Sequence, residues 1–458
     1  MQVTRFSLFP LSLKIRHEMS QAAFIALDTE FSGLGGPSTR SANLKDRYAA
    51  LRATATSSAL LSLGVVVGKS GNSDDVVQPN TPTTFTSRAF DFLLSPKNPF
   101  EISPSSAAFL VDHAFDFNKM FREGINPDQL RDLFAYILQL NVPIVIHNGL
   151  LDLMFIYHTL YAELPADLDT FVADLNDMFP AGIIDTKYVA DYVTHEKASY
   201  LAYLYRKYER NILKSESLSI SLLPPIDLAS SIVIPASALL PNGQISATLS
   251  LKGASTATTD TIIKKKRSKQ QEKDDRKLYC VQYASHGYCS NGPACSKSHD
   301  LDLILDSEER ESLQAAGRKR AKGDTSTVAT ATGSSTHDTM ITNNSKPQPK
   351  PIPTPLPLSL TTETLIPTPT ITPTLLQTYH SASFDAYMTG YVFCVQFQQL
   401  HPPKNAAPST PKERLAEFVK AYGNKLYLIG KDIPLSIVKS SFAKTSVGHV
   451  RQKMVWKK

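Results

Sequence analysis

Hydrophobic and polar positions in the first two hundred residues follow two periods. Residues 24–27 (FIAL) form an apolar strand candidate ending at the acidic pair Asp28 and Glu30. LLSLGVVVG at 60–68 reads as a second strand, and SRAFDFLLSP at 87–96 as a third after a turn rich in Gly, Ser, Asn, Asp and Pro. The spacing then shifts towards 3.6. SSAAFLVDHAFDFNKMFREG and PDQLRDLFAYILQL are predicted helices, while VPIVIH at 142–147, short and β-branched, is predicted as a buried strand. Strands, then helices, then a buried strand imply an α/β domain with a mixed sheet covered by helices and functional groups at strand ends.

Patterning weakens after residue 211, and the rest of the chain divides by composition. Residues 212–273 form a weakly patterned insertion with the basic run KKKRSK at 264–269. A cysteine segment occupies 274–302, a basic helical or linker segment with GRKRAK occupies 303–322, and a Thr/Ser/Pro-rich linker spans 323–370. Such a linker need not pack, because its polar and proline-rich stretches cannot cover a core. The apolar helical pattern resumes at 380–397, so 371–445 is expected to complete a catalytic domain begun by 1–211, followed by a basic tail at 446–458.

A formal charge of +6 on 458 residues favours a polyanionic partner only weakly. Three of the four cysteines fall in the segment at 274–302, leaving Cys394 in an apolar run; this usage points to a metal and a reducing compartment rather than a disulfide framework. The first twenty residues lack a full signal-peptide pattern and read as the lead-in to the domain. No run approaches bilayer-spanning length, so cytosol or nucleus is expected, with no membrane partner.

Side chains on a strand repeat with period two, which puts Asp28 and Glu30 on one face. Together with Asp152 in VIHNGLLDLMFIY and Asp385 in YHSASFDAYMTGYVF, they supply the hard oxygen ligands of a two-metal site that hydrolyses phosphodiesters with Mg²⁺ or Mn²⁺. Asp28 is the principal ligand candidate, and Glu30 is expected to orient the second ion and the attacking water. Asp152 should lie near a helix start, and His380, before a helix carrying Asp385, is the candidate base. Each has a plainer alternative: solvated acids at a strand end, Asp152 as a helix-terminal charge, His380 as a surface or cap residue, and His147, otherwise read as approaching RNA, as a hydrogen-bonded structural histidine. FSGLGG after the acidic pair lacks the Lys-Ser/Thr of a Walker phosphate loop.

Cys280, Cys289, Cys295 and His299, with eight, five and three residues between them, suit one tetrahedral Zn²⁺. Tyr283, His286 and Tyr288 are candidates to stack on single-stranded bases, with Lys264, Lys265, Lys266 and Arg267 holding phosphates. The alternative is a zinc module that only orders the insertion or contacts protein. The two basic runs read as RNA contacts, nuclear import signals or solvated linker, and nuclear localisation is expected, with the cytoplasm also open.

These segments, with FDFNKMFREGI at 115–125, GIIDTKYVADY at 182–192 and LAYLYRKYER at 201–210, resemble the DEDD superfamily of 3′-to-5′ exonucleases. The likeness is to the subgroup with a histidine before the last aspartate, and within it to the CAF1/poly(A)-specific ribonuclease family. The resemblance implies an RNase H-like fold, interrupted here by an insertion with a small CCCH finger. It places the family's carboxylates on Asp28, Glu30, Asp152 and Asp385 and its histidine on His380. Asp185 competes for the third carboxylate but is assigned to local structure or site support, since Asp152 sits in the closer match. The single finger looks most like the TOE1-type branch. By resemblance the chain is a 3′ exoribonuclease preferring adenylate tails, releasing 5′-AMP and trimming small nuclear RNA ends among ribonucleoprotein partners. The adenosine preference is inherited wholly from that likeness. A non-catalytic RNA-binding adaptor and a DNA exonuclease are the alternatives; the complete acid set favours an enzyme and the finger favours RNA.

Overall fold

The computed structural model describes residues 1–71, 83–213, 218–226, 277–323, 381–403 and 410–456. His380, Lys264, Lys265, Lys266, Arg267 and the Thr/Ser/Pro-rich stretch beyond residue 323 lie outside the described residues. The chain divides into two units, Met1–Ile304 with Pro373–Lys458, and Leu305–Thr372.

The first unit is built on one mixed sheet of β1 (Gln2–Val3), β2 (Phe24–Phe31), β3 (Leu60–Ser70), β4 (Thr83–Leu93), β5 (Ile144–Ile146), β6 (Ile183–Asp185), β7 (Leu218–Leu222), β8 (Lys425–Leu426) and β9 (Leu435–Ser436). The order is β1-β4-β3-β2-β5-β6-β8-β9, with β7 also paired to β4. The β2, β3 and β4 strands are antiparallel, whereas β5, β6 and β8 run parallel to β2. This is the mixed sheet expected from the sequence, and it draws β7 from the weakly patterned 212–273 segment.

Helices before the insertion are α1 (Leu8–Ser20), α2 (Leu44–Ser57), α3 (Pro104–Asp112), α4 (Phe117–Glu123), α5 (Pro127–Gln139), α6 (Leu150–Ile156), α7 (Leu168–Met178), α8 (Thr186–Tyr188) and α9 (Leu201–Ile212). Then come α10 (Val281–His286), α11 (Leu301–Gly323), α12 (Ala382–Leu400), α13 (Pro411–Tyr422) and α14 (Val447–Trp456). The second unit's described part is the helical run of α11 from Leu305 onward.

Strand alternation sorts the sheet into two faces. Ile25, Leu27, Val65 and Val67 enter one core with apolar residues of α1, α2, α5, α6 and α7. On the other face Phe24 and Ala26 lie under α12: Phe24 meets Phe393 edge to face at 4.7 Å, and a β-carbon at Gly390 would touch both.

Three local readings change. Strand β2 does not end at the acidic pair but continues to Phe31, whose ring stacks on Phe155 at 4.6 Å. The long helix expected over 105–124 is broken, because Ala114 is left-handed (φ 61) and the Asp116 side chain caps a new helix by accepting from the Lys119 amide. The segment read as a basic tail forms α14, whose fully buried His449 bonds Asp177 at 2.9 Å and the Tyr161 hydroxyl at 2.8 Å. Among the described residues no helix is long and apolar enough to cross a membrane.

Candidate metal centres

The acidic pair is brought to Asp385 by a close approach between sheet and helix. In the β2–β3 register Asp28 faces Gly64 and Glu30 faces Ser62. A β-carbon on Gly64 would lie 2.0 Å from the Ala382 carbonyl oxygen and 2.6 Å from the Ser383 nitrogen, so only glycine lets the start of α12 settle here. Ser381 caps that helix by accepting from the Phe384 amide at 3.3 Å, and Asp385 occupies its first turn. Ligand oxygens of Asp28, Glu30 and Asp385 then lie within 4.8 Å of one another.

Three acids this close resist ionising together. Asp28 is held well above the usual carboxylate range, by removal from water first and then by the charges of Asp385, Asp152 and Glu30. Glu30 is pushed well up as well, by burial and then by Asp385, Asp91 and Asp152. Burial raises Asp385 to about 7. Its Oδ1 is buried and, among the described residues, has no hydrogen-bond partner. A buried bare carboxylate oxygen beside two more carboxylates is what a hard divalent cation fits, supplying both the missing partner and the opposing charge.

Asp152 stands outside this group of three. It sits in the first turn of α6, as expected, and accepts a 2.6 Å bond from the Thr29 hydroxyl. Burial raises it to about 6 despite that bond. Asp185 is committed to structure: its carboxylate accepts from the amides of Asn148 (2.9 Å), Lys187 (3.0 Å) and Tyr427 (2.8 Å). His147 takes its structural alternative. The Thr186 hydroxyl, bonded to the Ile146 carbonyl, lies 2.9 Å from His147 Nδ1, and burial lowers the imidazole to about 3, leaving it neutral.

Thr29 and Gly64 were not singled out by sequence reasoning. A glycine inside the apolar run LLSLGVVVG is the available signal for a close backbone approach. Thr29 carried none beyond its place between two acids.

A second cluster forms as the spacing predicts: one ligand atom each from Cys280, Cys289, Cys295 and His299 lies within 4.8 Å of the others. Backbone amides of Asn291 and Gly292 help hold the Cys289 thiol below its usual range. His299 Nε2 is buried and, among the described residues, unpaired. Three sulfurs and an imidazole fit Zn²⁺. Tyr283 stacks face to face on His299 (4.4 Å, 8°) and sets its ring edgewise to Tyr200 at 6.1 Å, so it is engaged within the protein, whereas His286 and Tyr288 are exposed.

A model of the CAF1 family of ribonucleases matches residues 3–127 and 127–393. The chain is 30% identical over 139 residues to the poly(A)-specific ribonuclease PARN of Danio rerio, covering 27% of this chain and 20% of that protein. It is 30% identical over 137 residues to PARN of Homo sapiens, covering 26% and 20%. The chain thus spans about a fifth of the length of these curated relatives. Among solved structures, S. pombe Pop2p in its Mg²⁺- and Mn²⁺-bound form superposes with a TM-score of 0.37 at 20% identity, covering 45% of this chain and 81% of that one. The RNase domain of yeast Pop2 gives 0.36 at 19%, covering 45% and 74%.

Proposed function

The chain belongs to the CAF1 family of ribonucleases, and from that premise we propose that it is a metal-dependent 3′-to-5′ exoribonuclease acting on RNA with an adenylated 3′ end. The observation that supports this reading most is the convergence of Asp28, Glu30 and Asp385, from opposite ends of the chain, around an Asp385 oxygen that has no hydrogen-bond partner among the described residues. Paired divalent cations, when bound, activate water and stabilise a leaving 3′ oxygen during in-line displacement. Asp28 and Asp385 are assigned to holding Mg²⁺ or Mn²⁺ and Glu30 to orienting the attacking water. Asp152, held by Thr29, is assigned the fourth carboxylate. His380 directly precedes the α12 cap residue Ser381, and the proton of the attacking water is assigned to it. Release of 5′-AMP follows from attack at the terminal phosphodiester.

Preference for adenylate rests on relatives named poly(A)-specific ribonuclease. Small nuclear RNA 3′ ends are the proposed natural substrate, met with ribonucleoprotein partners in the nucleus. That extension rests on the likeness to finger-bearing relatives, on the exposed His286 and Tyr288 as RNA contacts, and on the two basic runs.

The test is time-resolved cleavage of 3′-adenylated RNA, non-adenylated RNA and DNA by the wild-type chain and Asp28→Ala, with Mg²⁺ or EDTA. Stepwise 5′-AMP release from the adenylated RNA, lost in EDTA and in the variant, is expected. Folded protein that binds RNA without cutting it makes the chain an adaptor instead.

A further inference from the structure

The finger does not hang free of the catalytic unit. It is seated on α9, and α9 in turn is seated on the helix that carries Asp385. Backbone at Gly287, left-handed at φ 71, lies against the ring of Tyr200, so that a β-carbon there would approach within 2.6 Å of the ring. Tyr200 is the residue from which α9 starts, and it also receives the edge of Tyr283, which stacks on the ligand His299.

Three residues after His299, Asp302 is gripped by two arginines of α9. Arg206 donates to both of its carboxylate oxygens, from Nε at 2.8 Å and Nη2 at 2.9 Å, and Arg210 donates to its backbone carbonyl at 3.2 Å. A two-point arginine fork fixes direction as well as distance. Immediately before Arg206 in sequence, Tyr205 meets Phe384, Tyr387 and Tyr391 of α12, with ring centroids 6.1, 6.3 and 4.9 Å away. Phe384 and Tyr387 flank Asp385 in the chain.

We propose that the Cys/Cys/Cys/His finger is a brace for the carboxylate centre: ordered by zinc, it clamps α9 through Tyr200 and Asp302, and α9 holds the first turns of α12 so that Asp385 meets Asp28 and Glu30. The inference rests on the metal-centre reading above and gives the finger a positioning role beyond capturing RNA. Two observations carry it independently, the zinc-ligand stack on Tyr200 and the Asp302 fork. Both lead to one helix, whose tyrosine packs beside Asp385. A displacement of about 1 Å at a catalytic group costs on the order of 10²-fold in rate, so a modest loosening of α12 reads out in turnover.

The test uses the full chain and Asp302→Ala, which cuts the fork and leaves the zinc ligands in place, with Asp302→Glu as the conservative rescue and Cys289→Ser to dissolve the finger. Zinc content, kcat and KM on a short adenylate oligonucleotide, and hydrogen exchange of the amides at 382–391 are measured. In Asp302→Ala the expected result is retained zinc, unchanged KM, a kcat lower on the order of tenfold, and faster exchange at 382–391, all restored towards wild type by Asp302→Glu. Unchanged kcat and exchange in both Asp302→Ala and Cys289→Ser, or a change confined to KM, overturns the brace. A wild-type chain without hydrolysis sinks the nuclease reading instead, while the exchange measurement still decides the brace.

Discussion

The two clusters reach their ligands by opposite routes. The Cys/Cys/Cys/His group draws its four candidate ligands from twenty consecutive residues, Cys280 to His299, a span short enough for one metal ion to order. The carboxylate group draws Asp28 and Glu30 from one strand and Asp385 from a helix more than three hundred residues later. A local site is written in spacing. The distributed one exists only because Gly64 allows α12 onto the sheet, and it concentrates charge that burial penalises.

That contrast is broken most severely at Asp385. Asp385→Asn is expected to lower turnover on the order of 10³-fold or more, measured on the adenylated substrate. In EDTA the same variant should melt at a higher temperature than wild type, because one of three mutually repelling carboxylates is gone. Zinc content should not change.

Gly64→Ala follows. Its β-carbon would meet backbone at Ala382 and Ser383 rather than a side chain able to turn away, so α12 must shift. Overpacking of this kind costs about 1–3 kcal/mol, and turnover should fall on the order of 10²-fold as Asp385 moves. Chemical unfolding and turnover together check this, with zinc content again the control.

Thr29→Val is the mildest. Removing the 2.6 Å bond to Asp152 should cost about 1 kcal/mol, read by chemical unfolding. Turnover should fall several-fold as Asp152 loses its orientation, and a variant equal to wild type in both would remove Asp152 from the site.

Acidity sharpens the comparison further. Asp152 at about 6 and Asp385 at about 7 lie above the value near 4 of an unfolded aspartate, so the folded chain binds those protons more tightly than the unfolded one. Their contribution to metal-free stability is therefore full below about pH 4 and lost as pH rises through 6 and 7. Thermal melts in EDTA across that window should decline, and Mg²⁺ should offset the decline at the upper end.

Much of the architecture was legible because its signals are local. The apolar runs over 60–68 and 87–96 mark β3 and β4, and the 3.6 spacing of PDQLRDLFAYILQL marks α5. The break at Ala114 was not legible, since apolar spacing runs on through a turn that depends on one left-handed residue and an aspartate cap. Nor was β7, whose five residues are a strand only because β4 offers an open edge. The acids could be named from motif and resemblance. Their separation into a group of three with Asp152 apart, and the roles of Thr29 and Gly64, follow from the register of β2 on β3 and the closeness of α12, which no single segment encodes. The finger shows the converse: its ligands were plain from spacing, but its seating on Tyr200 and Arg206 was not.

The most direct measurement is a calorimetric titration of metal-free protein with Mn²⁺ at pH 5.5 and pH 8, for wild type and Asp28→Asn. The carboxylate centre predicts saturable binding at pH 8, weaker binding at pH 5.5 where Asp152 and Asp385 keep their protons, and near-complete loss in Asp28→Asn. Absence of saturable binding at pH 8, or equal binding by Asp28→Asn, would contradict it.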